Sequence, residues 1–132
     1  EGLSGIAAKA TKECSYHVRR SRGWVKRLGD GTVESNLRVK TALEELWAYT
    51  PELFEADGVE DRMVADGIAP ELATIEESWN REVKVTLKLA TVDVPIRLWE
   101  AAGGREGLHT EHMGRLLAEM QFLQRTYPGL EW

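Results

Sequence analysis

Apolar residues recur at helical spacing from the start of the chain. Leu3, Ile6, Ala7, Ala10, Cys14, Val18, Val25 and Leu28 share one side of a helix, which predicts a first helix over residues 4–28. Ser4 is its expected N-cap. Gly29-Asp30-Gly31-Thr32 reads as a stop and restart. Thr32, with Ser35 as the alternative, caps a second helix over 33–49 whose inner stripe is Val39, Leu43, Leu46 and Trp47. Pro51 cannot continue that helix but suits the first turn of another, so Thr50-Pro51-Glu52 predicts a cap, with Leu53 and Phe54 anchoring a short turn. The polar stretch 55–68 holds two turn signals, Asp57-Gly58 and Asp66-Gly67, around a short helix over 60–65.

Ala69-Pro70 opens a further helix carrying Leu72, Ile75, Trp79, Val83, Thr86, Leu87 and Ala90. Its end is contested by two patterns. Val83 to Val94 is rich in β-branched residues and partly alternates, as a strand would. The helical period from Leu72 continues without a break, so helix is expected up to Pro95. Gly103-Gly104 and Gly107 mark a flexible connection. A last helix over 110–127 follows, with Met113, Leu116, Leu117, Met120 and Leu123 facing inward, and Pro128-Gly129 ends it. The pattern predicts one all-α domain over 1–132, with no internal repeat.

Charge changes the picture in one direction. The formal net charge of -5 speaks against nucleic acid as a primary partner, because phosphate binding needs a basic surplus. Locally the sign reverses: Arg19, Arg20, Arg22, Lys26 and Arg27 make one helix end strongly basic. Such an end complements the helix dipole in solvent. It could also meet an acidic partner or the phosphates of a coenzyme A-like molecule. Five tryptophans, Trp24, Trp47, Trp79, Trp99 and Trp132, are expected to fill a core or a subunit interface. Cys14 is the one cysteine, so no internal disulfide forms. No apolar run approaches the ~18 residues a membrane span needs, and cytoplasm is the expected compartment. The chain begins at Glu1 and is helical almost at once, as if cut inside a larger domain.

Two places could carry chemistry. Glu13 and His17 lie one turn apart near the predicted apolar stripe, and a buried carboxylate or imidazole needs a partner or a ligand. Helical bundles bind di-iron through glutamates and Glu-x-x-His pairs. Here the pair is one residue too far apart, and Tyr16 stands where histidine would. The favoured expectation is a Glu–His hydrogen bond or buried ion pair within a core. The second place is Gly107-Leu108-His109-Thr110-Glu111-His112-Met113-Gly114, where His109 and His112 can share a helix face. Without further ligands, helix capping by His109 or Thr110 explains this run better than zinc. No Gly-x-Ser-x-Gly elbow and no phosphate-binding glycine loop is present.

The run Ala7-Ala8-Lys9-Ala10-Thr11-Lys12-Glu13-Cys14-Ser15-Tyr16-His17, then Ser21-Arg22-Gly23-Trp24 and Leu28-Gly29-Asp30-Gly31-Thr32, resembles the C-subunit family of bacterial phenylacetyl-CoA ring epoxidases. Leu46-Trp47, Glu52-Leu53-Phe54-Glu55-Ala56-Asp57, Gly107 to His112, Leu117-Ala118-Glu119-Met120-Gln121 and the closing Pro128-Gly129 and Trp132 are similar again. The resemblance covers essentially the whole chain. It implies a ferritin-like helical bundle, of which this chain would be the C-terminal part. It implies a homologous catalytic partner that holds the di-iron centre and epoxidises the ring. Members of the C-subunit family are regarded as structural, so no catalytic residue and no cofactor are expected here, and Glu13 and His17 would be relics of a ligand helix. The competing expectations are a di-iron protein using Glu13 and His17, and a helical adaptor unrelated to catabolism. A half bundle also leaves Leu3, Ile6, Ala10 and Cys14 uncovered, which predicts self-association.

Overall fold

A computed structural model describes residues 2–131. Among them there are six α-helices and no strand: α1 (Gly2–Gly29), α2 (Val33–Leu46), α3 (Gly58–Ala65), α4 (Leu72–Leu89), α5 (Glu111–Met120) and α6 (Phe122–Thr126). Three single 3-10 turns, Trp47–Tyr49, Pro51–Phe54 and Gly104–Glu106, join them. The architecture is all-α, as the apolar period predicts.

The tightest packing lies where α1, α2 and the end of α4 meet. Gly29 closes α1 and is buried against Ala90, which is wholly inaccessible. A Cβ on Gly29 would stand 2.4 Å from the Ala90 carbonyl oxygen and 2.7 Å from its Cβ. Only glycine allows this approach. Thr32 then caps α2 in a reciprocal box with Ser35, whose hydroxyl also donates to Leu28 O at 2.7 Å. The Gly29 carbonyl accepts from the Asn36 amide at 2.6 Å and from the Thr91 hydroxyl at 3.1 Å. One carbonyl at the end of α1 thereby ties in both α2 and the end of α4.

α4 ends five residues short of its predicted stop. After Ala90 the chain turns through Thr91, whose φ of 55° is left-handed. The Val92 amide reaches back to Leu87 O at 3.1 Å, which is the closure of a Schellman-type end with threonine in the place glycine normally takes. Continuing the helix would carry Val92 out of its buried position. Val94, preceding Pro95, is also disfavoured in helical conformation. Of the β-branched run, Val83 to Leu89 is helical, as the apolar period predicts; Val92 and Val94 lie beyond the helix and join no sheet. Val92 to Ile96 line a hollow with Lys40, Leu43 and Glu44 of α2, and the Ala101 amide donates to Ala48 O at 2.9 Å.

Trp47, Ala48, Leu87, Ala90 and Val92 form the buried apolar core. The Trp47 ring lies 5.8 Å from Trp79, and Phe54 meets Trp79 edge-on at 5.5 Å. The second helix stops at Leu46, three residues early, because the 3-10 turn swings Trp47 into this cluster. That rotation leaves Leu46, predicted to face inward, exposed. Thr50 does not cap the Pro51 turn; its hydroxyl donates to Trp47 O at 2.8 Å instead. Ser4 lies inside α1, not at its cap. The last helix breaks at Gln121 into α5 and α6, and of its predicted inner face only Met113 is half-buried. Leu116, Leu117, Met120 and Leu123 remain exposed, because α5 and α6 have no other helix laid along them among the described residues.

Candidate functional site

The first two-thirds of α1 is the most unusual surface. Every described residue from Gly2 to Ser21 is exposed. α1 packs on α2 and α4 near its C-terminal end, where Arg22 pairs with Glu82 at 2.7 Å and Gly29 meets Ala90. On the free part, Ala7, Ala10, Thr11, Cys14, Ser15 and Val18 line an open trough of about 760 Å³.

Glu13 and His17 lie on this free part, with His17 Nε2 3.9 Å from Glu13 Oε2 and the side chains 68% and 71% exposed for His17 and Glu13. This corrects the expected buried hydrogen bond: no element among the described residues covers this stretch, so water solvates both groups. At that distance the two side chains lie beyond hydrogen-bond reach. A di-iron centre needs several carboxylates and imidazoles converging from facing helices. Among the described residues no three His, Cys, Asp or Glu side chains converge in that way. The donors these residues supply do not fit a di-iron centre.

His109 and His112 are both exposed, in an open hollow of about 680 Å³ that Tyr49, Glu52 and Trp99 also line. Glu52 is committed elsewhere, accepting from the Gly104 amide at 3.0 Å. Thr110 occupies the N-cap position of α5, yet its side chain makes no capping bond. The capping expected there is positional only.

The tryptophans divide. Trp47 is 7% exposed and belongs to the chain's own core, which corrects its place among the interface candidates. Trp79 is half-buried in the same aromatic cluster. Trp24 is 48% exposed with Arg27 over its ring at 5.3 Å, and Trp99 is 53% exposed with Tyr49 edge-on at 5.2 Å. Trp132 lies outside the described residues.

One polar cluster was not foreseen. Arg105 bridges Asp57, at 3.2 Å, and Glu60, which are the two acids of the α3 capping box. The Val59 amide, the Glu60 side chain and Arg105 together hold the Asp57 carboxyl down to about 2. This clamp ties the glycine-rich connection to α3. Spacing alone could not reveal it, because Arg105 is remote from both acids in sequence.

By class, the chain is an all-α helical protein whose first helix is amphipathic and largely exposed among the described residues. The family model of the phenylacetic acid catabolic proteins matches residues 1–132, and the chain belongs to that family. It is 46% identical over 130 residues to the C-subunit of the 1,2-phenylacetyl-CoA epoxidase of Escherichia coli (strain K12). That alignment covers 98% of this chain and 52% of the relative, so the chain spans about half the length of the curated relative it matches. The ferritin-like, all-α expectation stands with the family and the helical architecture. No described helix is long and apolar enough to cross a membrane.

Proposed function

We propose that this chain is part of a non-catalytic, structural subunit of a multicomponent di-iron monooxygenase that epoxidises phenylacetyl-CoA in phenylacetate breakdown. Its role is to scaffold a homologous catalytic subunit, in the cytoplasm. The observation that carries this reading is the 46% identity to the C-subunit of such an epoxidase, sustained over 98% of the chain. The chemistry of the donors supports the structural half of it. Glu13 and His17 have the wrong spacing for the bundle di-iron motif and gain no third ligand from the described residues. Iron belongs, on this reading, to the partner.

The test is reconstitution. The full-length subunit is purified alone and together with the catalytic subunit, and iron content and ring epoxidation are measured for each. Iron should follow the catalytic subunit, and turnover should fall sharply when this subunit is withheld. Stoichiometric iron in this subunit alone, or unchanged turnover without it, would overturn the proposal.

A further inference from the structure

α1 carries a second surface, apart from its apolar line. Lys9, Lys12, Tyr16, Arg20, Gly23 and Arg27 follow one another at steps of three or four, so they form one continuous stripe. At about 100° per residue, this stripe lies about 150° from the side that carries Arg22, Val25 and Gly29 and packs on α2 and α4. It lies about 120° from the apolar line of Leu3, Ala10 and Leu28. A bundle helix meets its neighbours through the sides that bear its apolar residues. Whatever covers the apolar line, the remainder of the same subunit included, therefore leaves the basic stripe facing outward.

Ordinary solvation of a helix end does not account for this stripe. α1 holds seven of the chain's 17 basic residues and one of its 22 acidic ones. The helix dipole favours cations in the last turn, which contains Lys26 and Arg27. Lys9, Lys12 and Arg20 lie before that turn. None of Lys9, Lys12, Arg20 and Arg27 pairs with a carboxylate among the described residues, whereas Arg38 and Arg115 each take a glutamate one turn away. At the centre of the stripe Tyr16 is 47% exposed, with Arg20 Nη1 donating to its hydroxyl at 3.5 Å and the Arg19 guanidinium 5.8 Å from its ring centroid. Gly23 opens a gap in the side-chain coat between Arg20 and Arg27. No atom of the chain lies within 4 Å of a Cβ placed there, so the fold itself does not demand glycine. A glycine inside a helix is destabilising relative to alanine, and it suits the close approach of another molecule.

Charge and extent together select the occupant. From Lys9 to Arg27 the stripe runs about 27 Å along a convex helix, so its cations do not converge on one small phosphate. A nucleic-acid duplex would continue past the helix over the strongly acidic rest of the chain. The same face of a second copy would set cation against cation. Tyrosine and arginine, by contrast, are side chains that dominate the energy of protein interfaces. We propose that this outer face of α1 is a docking site for an acidic patch on another protein, whose carboxylates meet Lys9, Lys12, Arg20 and Arg27 around a contact on Tyr16. Being charged and open to solvent, the contact steers encounter and weakens with salt. It stands whichever complex the chain serves, so this inference does not depend on the oxygenase reading.

The test uses the full-length subunit and begins with access. Gly23→Cys in a Cys14→Ser background should be alkylated as quickly in the full-length subunit as in the chain alone. Two dye-labelled helical peptides, one with glutamates and one with lysines along one face and alanine elsewhere, then probe the site together with a short DNA duplex. The glutamate peptide should bind about tenfold more tightly than the lysine peptide or the duplex, and salt should narrow the gap. Arg20→Glu with Arg27→Glu should remove that preference. Tyr16→Ala, which leaves the charge unchanged, should weaken the glutamate peptide about threefold or more. Each variant should keep its circular dichroism spectrum. Tenfold protection of Gly23→Cys in the full-length subunit would make the subunit's own remainder the occupant and overturn the proposal. So would equal affinity for the two peptides, a duplex that binds as tightly as the glutamate peptide, or binding indifferent to Tyr16, Arg20 and Arg27. A dimeric mass in sedimentation that Arg20→Glu returns to monomer would overturn it in favour of a second copy. None of these results touches the iron content or turnover on which the functional proposal stands.

Discussion

α1 is one continuous helix with two unlike ends. Its last turns are locked: Gly29 is pressed onto Ala90, and its carbonyl is shared by Asn36 and Thr91. Its residues from Gly2 to Ser21 are exposed, though they carry the same apolar period. Periodicity therefore marks which residues want to be covered, not which residues are covered. An isolated helix gains little from propensity, since most helical stability in proteins comes from packing. The packed end supplies stability, and the exposed part of α1 adds little to it.

The sharpest break of this contrast is Gly29→Ala. Alanine is the better helix former by about 0.5–1 kcal/mol. Here its Cβ would collide with backbone and side-chain atoms of Ala90 that have no room to retreat. Overpacking of this kind typically costs about 1–3 kcal/mol, so after the propensity gain a net destabilisation of about 1 kcal/mol is expected in urea unfolding. Ile6→Ser at the free end should change stability by less than about 0.5 kcal/mol. Equal losses at the two sites would erase the distinction between the ends.

Much of this architecture was legible in the sequence, and the errors share a cause. One helix start is fixed by local chemistry as the sequence predicts: Thr32 caps α2 through its hydroxyl, whereas Ser4, Thr50 and Thr110 make no capping bond at the starts expected for them. Positions decided by distant packing are not legible in this way. α4 stops at Leu89 because Ala90 must meet Gly29, about sixty residues earlier, and no local signal encodes that meeting. Leu46 and Met120 lie on apolar faces by period, yet both are exposed, one because Trp47 takes the core and the other because nothing described lies on α5. The metal near-miss was legible as a spacing fault at Glu13 and His17. Their solvation was not, because period cannot say whether a partner helix is present.

Thr91 offers a finer test of the locked end. A β-branched residue in the left-handed region is strained by about 1–3 kcal/mol, and the bonds around it must hold it there. Its hydroxyl donates to Gly29 O at 3.1 Å and lies 3.3 Å from the Asn36 amide nitrogen. Thr91→Val keeps the strain and loses the hydroxyl, for an expected loss of about 1 kcal/mol. Thr91→Gly loses the hydroxyl but releases the strain, so it should equal or exceed the parent in thermal midpoint. If valine is as stable as threonine, the hydroxyl does not tie α1 to α4.

The smallest effect belongs to the Arg105 clamp, which is solvent-exposed and needs pH to reveal it. Asp57 caps α3 by accepting from the Val59 amide at 2.7 Å, and its folded-state pKa lies at about 2 against an ordinary 3.8. A depressed carboxyl stabilises the fold wherever it is ionised in both states. Its contribution is therefore complete above about pH 4 and is lost as pH falls through the window toward 2. Asp57→Asn retains an acceptor at the cap but removes both the titration and the charge that faces Arg105. The variant should be slightly less stable at neutral pH, and the two stability curves should converge as pH falls from 4 to 2. Urea midpoints followed by circular dichroism across that range check the convergence. Curves that fall in parallel would assign the acid sensitivity to another carboxylate and leave the clamp a surface contact without energetic weight.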